Sequence, residues 1–368
     1  MNALKDRLTK QIRSEGPISV AEYMTVCLLD PVHGYYPTRD PLGSDGDFIT
    51  APEISQMFGE CIGLWALQSW IDMGRPPYLH LVELGPGRGI MMSDILRIAA
   101  LDRAFEKALS VTLIEASAAL EAVQAKTLGA ANVPIRWAKD LRDVPKGSTL
   151  IIGNEFLDCL PIRQFIQNDP FAGRAGWHER LISVDKNDNF RFVKSPMAIA
   201  ETLQSMLPEG QSEARKDDLI ELCPATHQLI DQISQRLFDF PGRAMFIDYG
   251  PSETEFGDTL QAIKRHEKVG VFSDLGNTDL TARVDFSALR QIAEQAGIDA
   301  TETIAQRTLL SKLGIEMRAV ALLKGKPEAR PKIARQLHRL MDSEEMGELF
   351  KAVTFSSPGL NAPLGFAE

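Results

Sequence analysis

Apolar and amphipathic stretches alternate regularly along the central part of the chain. The pattern predicts strands at 78–84, 111–116, 133–138 and 148–153, and helices at 90–107 and 117–128. Strands that alternate with helices in this way are typical of a parallel sheet with right-handed crossover connections. The sequence therefore predicts an α/β protein whose core is a doubly wound sheet.

The pattern changes after the fourth of these strands. It predicts antiparallel strands at 163–167, 177–184 and 189–193, followed by polar helices. A buried strand predicted at 243–250 then resumes the alternation of strands and helices. We expect residues 161–240 to form an inserted β/α segment, which would either contact a substrate or be a peripheral hairpin.

The last part of the chain is expected to complete the sheet. A helix is predicted at 285–297, and strands at 300–305 and 317–323 would form an antiparallel hairpin at the sheet edge. Residues 331–368 are predicted to form a charged helical tail that ends in a loose segment rich in Pro and Gly.

The first part of the chain is predicted to be helical, with turns rich in Pro, Gly and Asp at 30–37 and 40–47. A further helix is expected to begin near Pro52, which suits a first turn, as does Glu53. An ordinary capped helix explains these two residues. A lid over a ligand cleft would also explain the long turn segment before them. The candidate lid residues are Thr50, Glu53 and Gln56.

Composition narrows the class of protein. The chain has 368 residues, of which 44% are hydrophobic, so it can bury a large core. A formal charge of −10 argues against a protein that mainly binds nucleic-acid phosphates. No run approaches the ~20 apolar residues of a membrane span, and no secretory segment is visible, so we expect a cytoplasmic protein, or one numbered after import and processing.

Cysteines and histidines carry no metal-binding pattern. The four cysteines are widely scattered without a C-x-x-C pair, and the six histidines lack the spacing of metal ligands. We therefore predict neither a disulfide framework nor a metal site.

The strongest chemical signal is the segment Leu81-Val-Glu-Leu-Gly-Pro-Gly-Arg-Gly89, between the first predicted strand and helix. Glycines at such a turn can take positive φ and let a ligand lie against backbone N–H groups. Glu83 would repel a pyrophosphate but attract an ammonium group. This favours S-adenosylmethionine over NAD or a nucleoside triphosphate, although a tight turn that binds nothing would show the same glycines. The candidate cofactor residues here are Glu83, Gly85, Pro86, Gly87 and Gly89.

Acidic residues also follow the next two predicted strands. Glu115 lies where doubly wound folds hold ribose hydroxyls, and Asp140 could accept a hydrogen bond from an adenine amino group. Each acid alone could be a solvated residue. Three acids at the ends of three predicted strands together indicate a cofactor site more strongly than any one of them. The further cofactor candidates are Ser117, Leu141 and Asn154.

Taken together, these motifs resemble the MidA-like family. The resemblance covers nearly the whole chain, and its residues are Phe48-x-Thr-x-Pro-Glu-x-Ser-Gln-x-Phe-Gly-Glu60, Glu83-Leu-Gly-Pro-Gly-Arg-Gly89, Asn154-Glu-Phe-Leu-Asp158 with Leu160-Pro161, Ile247-Asp-Tyr-Gly250, and Asp279-Leu-Thr-Ala-Arg-Val-Asp-Phe286.

The resemblance implies both a fold and a function. It implies a seven-stranded, Rossmann-like methyltransferase sheet and methylation of a protein arginine. In mitochondrial members the substrate would be a core subunit of respiratory complex I, and the enzyme would aid complex I assembly in the matrix. The sequence does not fix the oligomeric state, and a homodimer remains open.

The chain is then expected to have four parts. They are a helical N-terminal region with a lid at 1–76, a cofactor-binding core at 77–160 and 241–330, the inserted segment at 161–240, and the tail at 331–368.

Carboxylates near the ends of the later strands are candidates for binding a cationic acceptor. A carboxylate can bind guanidinium bidentately and leave one nitrogen free to attack. Glu155 and Asp158 are the first candidates, with Asp248 and Tyr249 as second choices. Helix capping would also explain the first pair. A small-molecule methyltransferase and an assembly chaperone without turnover remain alternatives, and a dehydrogenase is disfavoured by Glu83.

Overall fold

The elements below come from a computed structural model that describes residues 2–38, 50–168 and 176–367. The helices are α1 (Ala3–Glu15), α2 (Val20–Leu29), α3 (Tyr35–Thr38), α4 (Ala51–Ile54), α5 (Gln56–Asp72), α6 (Ile90–Ala99), α7 (Arg103–Ala108), α8 (Ala118–Thr127), α9 (Glu201–Gln204), α10 (Pro224–Asp239), α11 (Phe286–Gln295), α12 (Gln306–Lys312), α13 (Ile315–Leu323), α14 (Arg330–Met341) and α15 (Met346–Leu349). The strands are β1 (Ile18–Ser19), β2 (Leu79–Leu84), β3 (Leu109–Ile114), β4 (Ile135–Ala138), β5 (Thr149–Asn154), β6 (Arg163–Gln167), β7 (Trp177–Val184), β8 (Phe190–Ala198), β9 (Leu219–Leu222), β10 (Gly242–Tyr249), β11 (Gln261–Lys264), β12 (Glu267–Val269), β13 (Asp279–Thr281), β14 (Asp299–Ala300), β15 (Ile304–Ala305) and β16 (Phe350–Ser356).

The central sheet has the predicted doubly wound arrangement. Strands β10, β5, β2, β3 and β4 are neighbours in that order and run parallel. Strand β16 runs antiparallel beside β10, and the short β14 and β15 both pair with the other edge of β16. Eight strands thus occupy seven positions, which confirms the expected α/β sheet.

The predicted closing strands are partly wrong. Residues 317–323 lie in helix α13, and the strand that completes the sheet is β16, inside the expected helical tail. Residues 317–323 are apolar except for Arg318, and so short a segment fits a half-buried helix as well as a strand, because periodicity does not separate the two over this length. Strand β16 instead has buried side chains on both faces, as an interior strand requires.

Smaller departures concern element lengths. The helix expected at 90–107 breaks at residues 100–102 into α6 and α7, where Asp102 caps the second helix through its carboxylate. Helix α10, placed in the inserted segment by the sequence, packs on β10 and is the crossover into that strand. The insertion itself is an antiparallel sheet of β6, β7, β8 and β9, joined by β1.

An apolar layer covers each face of the central sheet. Helices α5 and α6 lie on one face, and α10 and α11 lie on the other. Helices α5 and α6 approach closely at Gly59, where an added Cβ would lie 2.6 Å from Cβ of Asp94. This contact positions the segment before α5, which covers the carboxyl ends of the strands. No helix among the described residues is long and apolar enough to cross a membrane.

The position of β16 generates a stability prediction. Val353 is fully buried in β16, whereas Met317 on α13 is 79% exposed. We expect Val353→Gln to lower the free energy of unfolding by about 3 kcal/mol, because it buries an amide without partners. The matched change Met317→Gln should stay within about 0.5 kcal/mol. Urea denaturation measures both, and the opposite ranking would place the closing strand at 317–323.

Candidate functional site

The described residues enclose a cavity of about 330 Å³ at the carboxyl ends of β2 and β5. The strand order reverses between these two strands, and such a switch point is where open α/β sheets bind ligands. The cavity is lined by the glycine turn, by residues after β3 and β5, by the start of α4, and by Tyr36 and Asp279.

The glycine turn has the conformation that its sequence predicts. Gly85, Gly87 and Gly89 have φ values of +59°, +53° and +78°, which residues other than glycine rarely adopt. A Cβ on Gly85 would also lie 2.9 Å from Cδ2 of Phe156. Gly85, Pro86 and Gly87 line the cavity, whereas Gly89 lies just behind them as the N-cap of α6.

Glu83 is a buried acid without a full set of partners. Its side chain is 2% exposed, lines the cavity, and its Oε2 atom has no hydrogen-bond partner. Burial, with a contribution from the nearby Glu115, raises the pKa of Glu83 to about 8. The cationic amino group of S-adenosylmethionine would satisfy this carboxylate, so the residues present fit that ligand.

Glu115 also lines the cavity, but its carboxylate is already positioned by protein groups. Its two oxygens accept hydrogen bonds from the Ser117 backbone N–H at 2.8 Å and from Gln124 Nε2 at 3.0 Å. Gln124 Nε2 also donates to the carbonyl oxygen of Gly87 at 2.7 Å, so one buried amide links the acid to the glycine turn. Sequence reasoning missed Gln124, because nothing distinguishes it from other polar residues of α8.

Three other predicted cofactor residues lie outside the cavity lining. The Asp140 carboxylate binds the Arg142 side chain and backbone N–H, and its expected role toward adenine stays a prediction. The neighbouring Leu141 is buried in the apolar layer beneath. Ser117 caps the first turn of α8 through its hydroxyl group. The lining does include Asn154 at the end of β5.

Glu155 and Asn154 form one wall of the cavity. Glu155 has φ +51°, a strained value for this residue, and burial raises its pKa to about 7. Its Oε1 atom accepts hydrogen bonds from the Ala51 backbone N–H at 2.9 Å and from Asn154 Nδ2 at 3.2 Å. Asn154 is 8% exposed and its Oδ1 atom has no partner, so an acceptor oxygen is left for a ligand.

Asp158 and Asp279 complete an acidic end of the cavity. Burial raises the pKa of Asp158 well above its usual range, and the charges of Asp248, Asp279 and Glu155 add to this. The Tyr36 hydroxyl donates to the carboxylate of Asp279 at 3.0 Å. Sequence reasoning did not assign Asp279 and Tyr36 to the site, although Asp279 opens one of the quoted motifs.

This acidic end does not have the form of a metal site. Among the described residues, no group of three or more His, Cys, Asp or Glu side chains is arranged to hold a metal ion. An organic cation is the partner that such a set of carboxylates fits best.

The two second-choice candidates for acceptor binding have structural roles instead. Asp248 is 1% exposed, and one of its oxygens accepts hydrogen bonds from the backbone N–H groups of Phe156, Leu157 and Asp158. The Tyr249 hydroxyl is held by Thr281 and Gln261. Neither residue lines the cavity.

The helix expected near Pro52 is the short helix α4, which borders the cavity, and its role as a lid stays a prediction. Thr50 is its N-cap residue, and Thr50 and Glu53 line the cavity. The Glu53 carboxylate lies 3.9 Å from Arg88 of the glycine turn. Gln56 points away and donates to Glu60, so it does not line the cavity. The turn expected at 40–47 and Phe48 lie outside the described residues.

Three features together assign the chain to a class of protein, the methyltransferase folds that bind a nucleoside cofactor. They are the sheet order, the glycine turn and the acid at the end of β2. The sequence profile of the S-adenosyl-L-methionine-dependent methyltransferases matches residues 61–304. The chain belongs to this family.

Individual relatives agree with this membership. The chain is 39% identical to mouse protein arginine methyltransferase NDUFAF7, mitochondrial, over 93% of this chain and 82% of the mouse protein. The human protein of that name is 37% identical over 93% and 81% of the two chains. A crystal structure from Burkholderia thailandensis bound to S-adenosyl-homocysteine has a TM-score of 0.84 and 28% identity, covering 99% of this chain and 94% of that chain.

The state of Glu83 generates a binding prediction. With a pKa of about 8, roughly nine in ten molecules carry the Glu83 proton at pH 7. Pairing with the ammonium group of S-adenosylmethionine favours the ionised carboxylate, so binding at pH 7 should release close to one proton. Calorimetric titration in buffers of different ionisation enthalpy measures this number.

The control for this prediction is Glu83→Gln, which has nearly the same shape and no titrating proton. Proton release should fall to near zero in this variant. Equal release from both proteins would show that another group binds the ammonium.

Proposed function

We propose that this protein methylates an arginine side chain of a protein substrate. The proposal depends on one observation above all: the carboxylates of Glu155, Asp158 and Asp279 line the same end of the cavity. Burial above all, and then the charges of Asp248, Asp279 and Glu155, make Asp158 hard to ionise, and a guanidinium group would relieve that cost by pairing with it. A neutral acceptor would leave the cost in place.

The names of relatives support the same substrate class. The mouse and human relatives are called protein arginine methyltransferases, and both names include the word mitochondrial. Through the resemblance to MidA-like proteins, we propose a core subunit of respiratory complex I as the substrate and a role in assembling that complex. The expected location is the matrix in a eukaryote and the cytoplasm in a bacterium.

The cofactor would lie between the two ends of the cavity. Glu83, Glu115 and the glycine turn would hold it, and when bound it supplies an electrophilic methyl group. The chain's own task is then to align an acceptor nitrogen and exclude water, which accounts for most of the catalysis in such displacements. In this proposal Asp158 and Asp279 bind the guanidinium, and the hydrogen bond from the Tyr36 hydroxyl helps to orient Asp279.

Glu155 is placed to take up the proton that the acceptor nitrogen loses. Its pKa of about 7 suits a group that alternates between the two protonation states near neutral pH. The same carboxylate accepts a hydrogen bond from Ala51 at the start of α4, so the lid and the proton acceptor are joined directly. Loss of this carboxylate should affect transfer more than cofactor binding.

Two substitutions test this assignment. Asp158→Asn and Glu155→Gln should each lower methyl transfer from labelled S-adenosylmethionine to lysate protein by about 100-fold or more, because each removes a carboxylate from the acceptor end. Calorimetry should show cofactor affinity within about threefold of the wild type.

The matched control is Asp239→Asn, which changes the same functional group on an exposed residue at the end of α10, outside the cavity lining. It should leave both transfer and cofactor affinity unchanged. Normal transfer by Asp158→Asn and Glu155→Gln would refute the acceptor assignment. Label that enters only small molecules would favour a small-molecule methyltransferase.

A further inference from the structure

Helix α14 carries an unusual set of charges for this protein. The chain has a formal charge of −10, yet the twelve residues of α14 include four Arg or Lys side chains and no acid. Within the described part of the chain, none of these four cations forms an ion pair with an acid or a side-chain hydrogen bond. They are Arg330, Lys332, Arg335 and Arg339.

Three of these cations form a stripe along one face. Lys332, Arg335 and Arg339 are spaced by three and four residues, so they are neighbours on the helix surface. The stripe is about 10 Å long, at a rise of 1.5 Å per residue. Lys332 and Arg335 are exposed, and Arg339 is partly buried.

The stripe lies beside helix α4, which borders the cavity. Gln336, which lies between Lys332 and Arg339 on this side of the helix, donates from Nε2 to the carbonyl oxygen of Ile54 in α4 at 2.6 Å. Its Oε1 atom accepts a hydrogen bond from the Ser55 hydroxyl. At the inner end of the stripe, the charge of Arg339 is close enough to Glu155 to offset part of the rise in pKa that burial causes in that acid. The cations thus lead from the surface to the acceptor end of the cavity.

We propose that this stripe binds an acidic segment of the protein substrate next to the methylated arginine. The inference rests on the proposed function and adds a specificity determinant to it. An acidic pocket beside a basic stripe matches a polypeptide in which an arginine is flanked by Asp or Glu. An extended chain advances about 3.3 Å per residue, so three or four residues span the stripe.

An anionic membrane surface fits less well. None of the exposed large apolar side chains belongs to α14, so the helix offers nothing to insert among lipid tails. Three cations alone give only weak attraction to such a surface. A polypeptide that also places an arginine in the acidic pocket has a second point of attachment.

The test measures binding rather than activity. The probe is a fluorescein-labelled peptide with one arginine followed by a run of aspartates, and the reference peptide has asparagines in their place. Fluorescence anisotropy with the full-length protein and S-adenosyl-homocysteine should show tighter binding of the acidic peptide. The double variant Lys332→Gln/Arg335→Gln should weaken that binding about fivefold, with less dependence on salt.

A matched control removes two cations elsewhere. Arg103 and Lys107 are exposed on α7, which leads into β3 and does not line the cavity, so Arg103→Gln/Lys107→Gln should leave peptide binding unchanged. Equal binding of the two peptides, or no effect of the α14 variant, would overturn the proposal. Loss of binding to phosphatidylglycerol vesicles in the α14 variant, without loss of peptide binding, would replace it with a membrane site.

The two proposals fail in different ways. Arginine methylation that shows no preference for acidic neighbours would refute only the docking stripe. Acidic-peptide binding that depends on Lys332 and Arg335, in a protein that methylates no arginine, would refute the proposed function and this role of the stripe in it.

Discussion

The site depends on one buried carboxylate, that of Asp248, which does not line the cavity. Asp248, at the end of β10, accepts three backbone N–H groups from the turn after β5 and a fourth from Tyr249. These bonds hold Glu155 in its strained conformation and fix the direction of Asp158. Because burial raises the pKa of Asp248 to about 7, the four donors matter for keeping it charged. A residue 92 positions from Phe156 in the sequence thus holds the wall of the site in place.

Buried carboxylates also determine the character of the rest of the cavity. Its cofactor end has Glu83 and Glu115 beside the glycine turn, and its acceptor end has Asp158, Asp279 and Glu155. Both ends are acidic, and both of the proposed ligands are cations. Burying several carboxylates together costs free energy in the free protein. A positively charged ligand offsets that cost when it binds, so the cavity selects cations. Helix α4 contacts both ends, since Ala51 donates a hydrogen bond to Glu155 and Glu53 approaches Arg88.

Sequence patterns predicted the parts of the fold where local signals are strong. The parallel strands before residue 156 are apolar runs between amphipathic helices, and the glycine turn requires positive φ. The pattern failed at α13 and β16, because both are short apolar runs whose burial is decided by distant neighbours. The local sequence also gave no sign that Arg142, two residues after Asp140, would bind the carboxylate of that residue. Asp279 joins the site only through the tertiary pairing of β11 with β13, for which the local sequence holds no signal.

The central claim is that the acidic end of the cavity receives a guanidinium group. The most direct measurement is amino-acid analysis of protein labelled by this enzyme with S-adenosylmethionine carrying a radioactive methyl group. After total acid hydrolysis, the account predicts that the label elutes as methylated arginine. Label that elutes as methyllysine, or as a methyl ester lost under mild base, would contradict it.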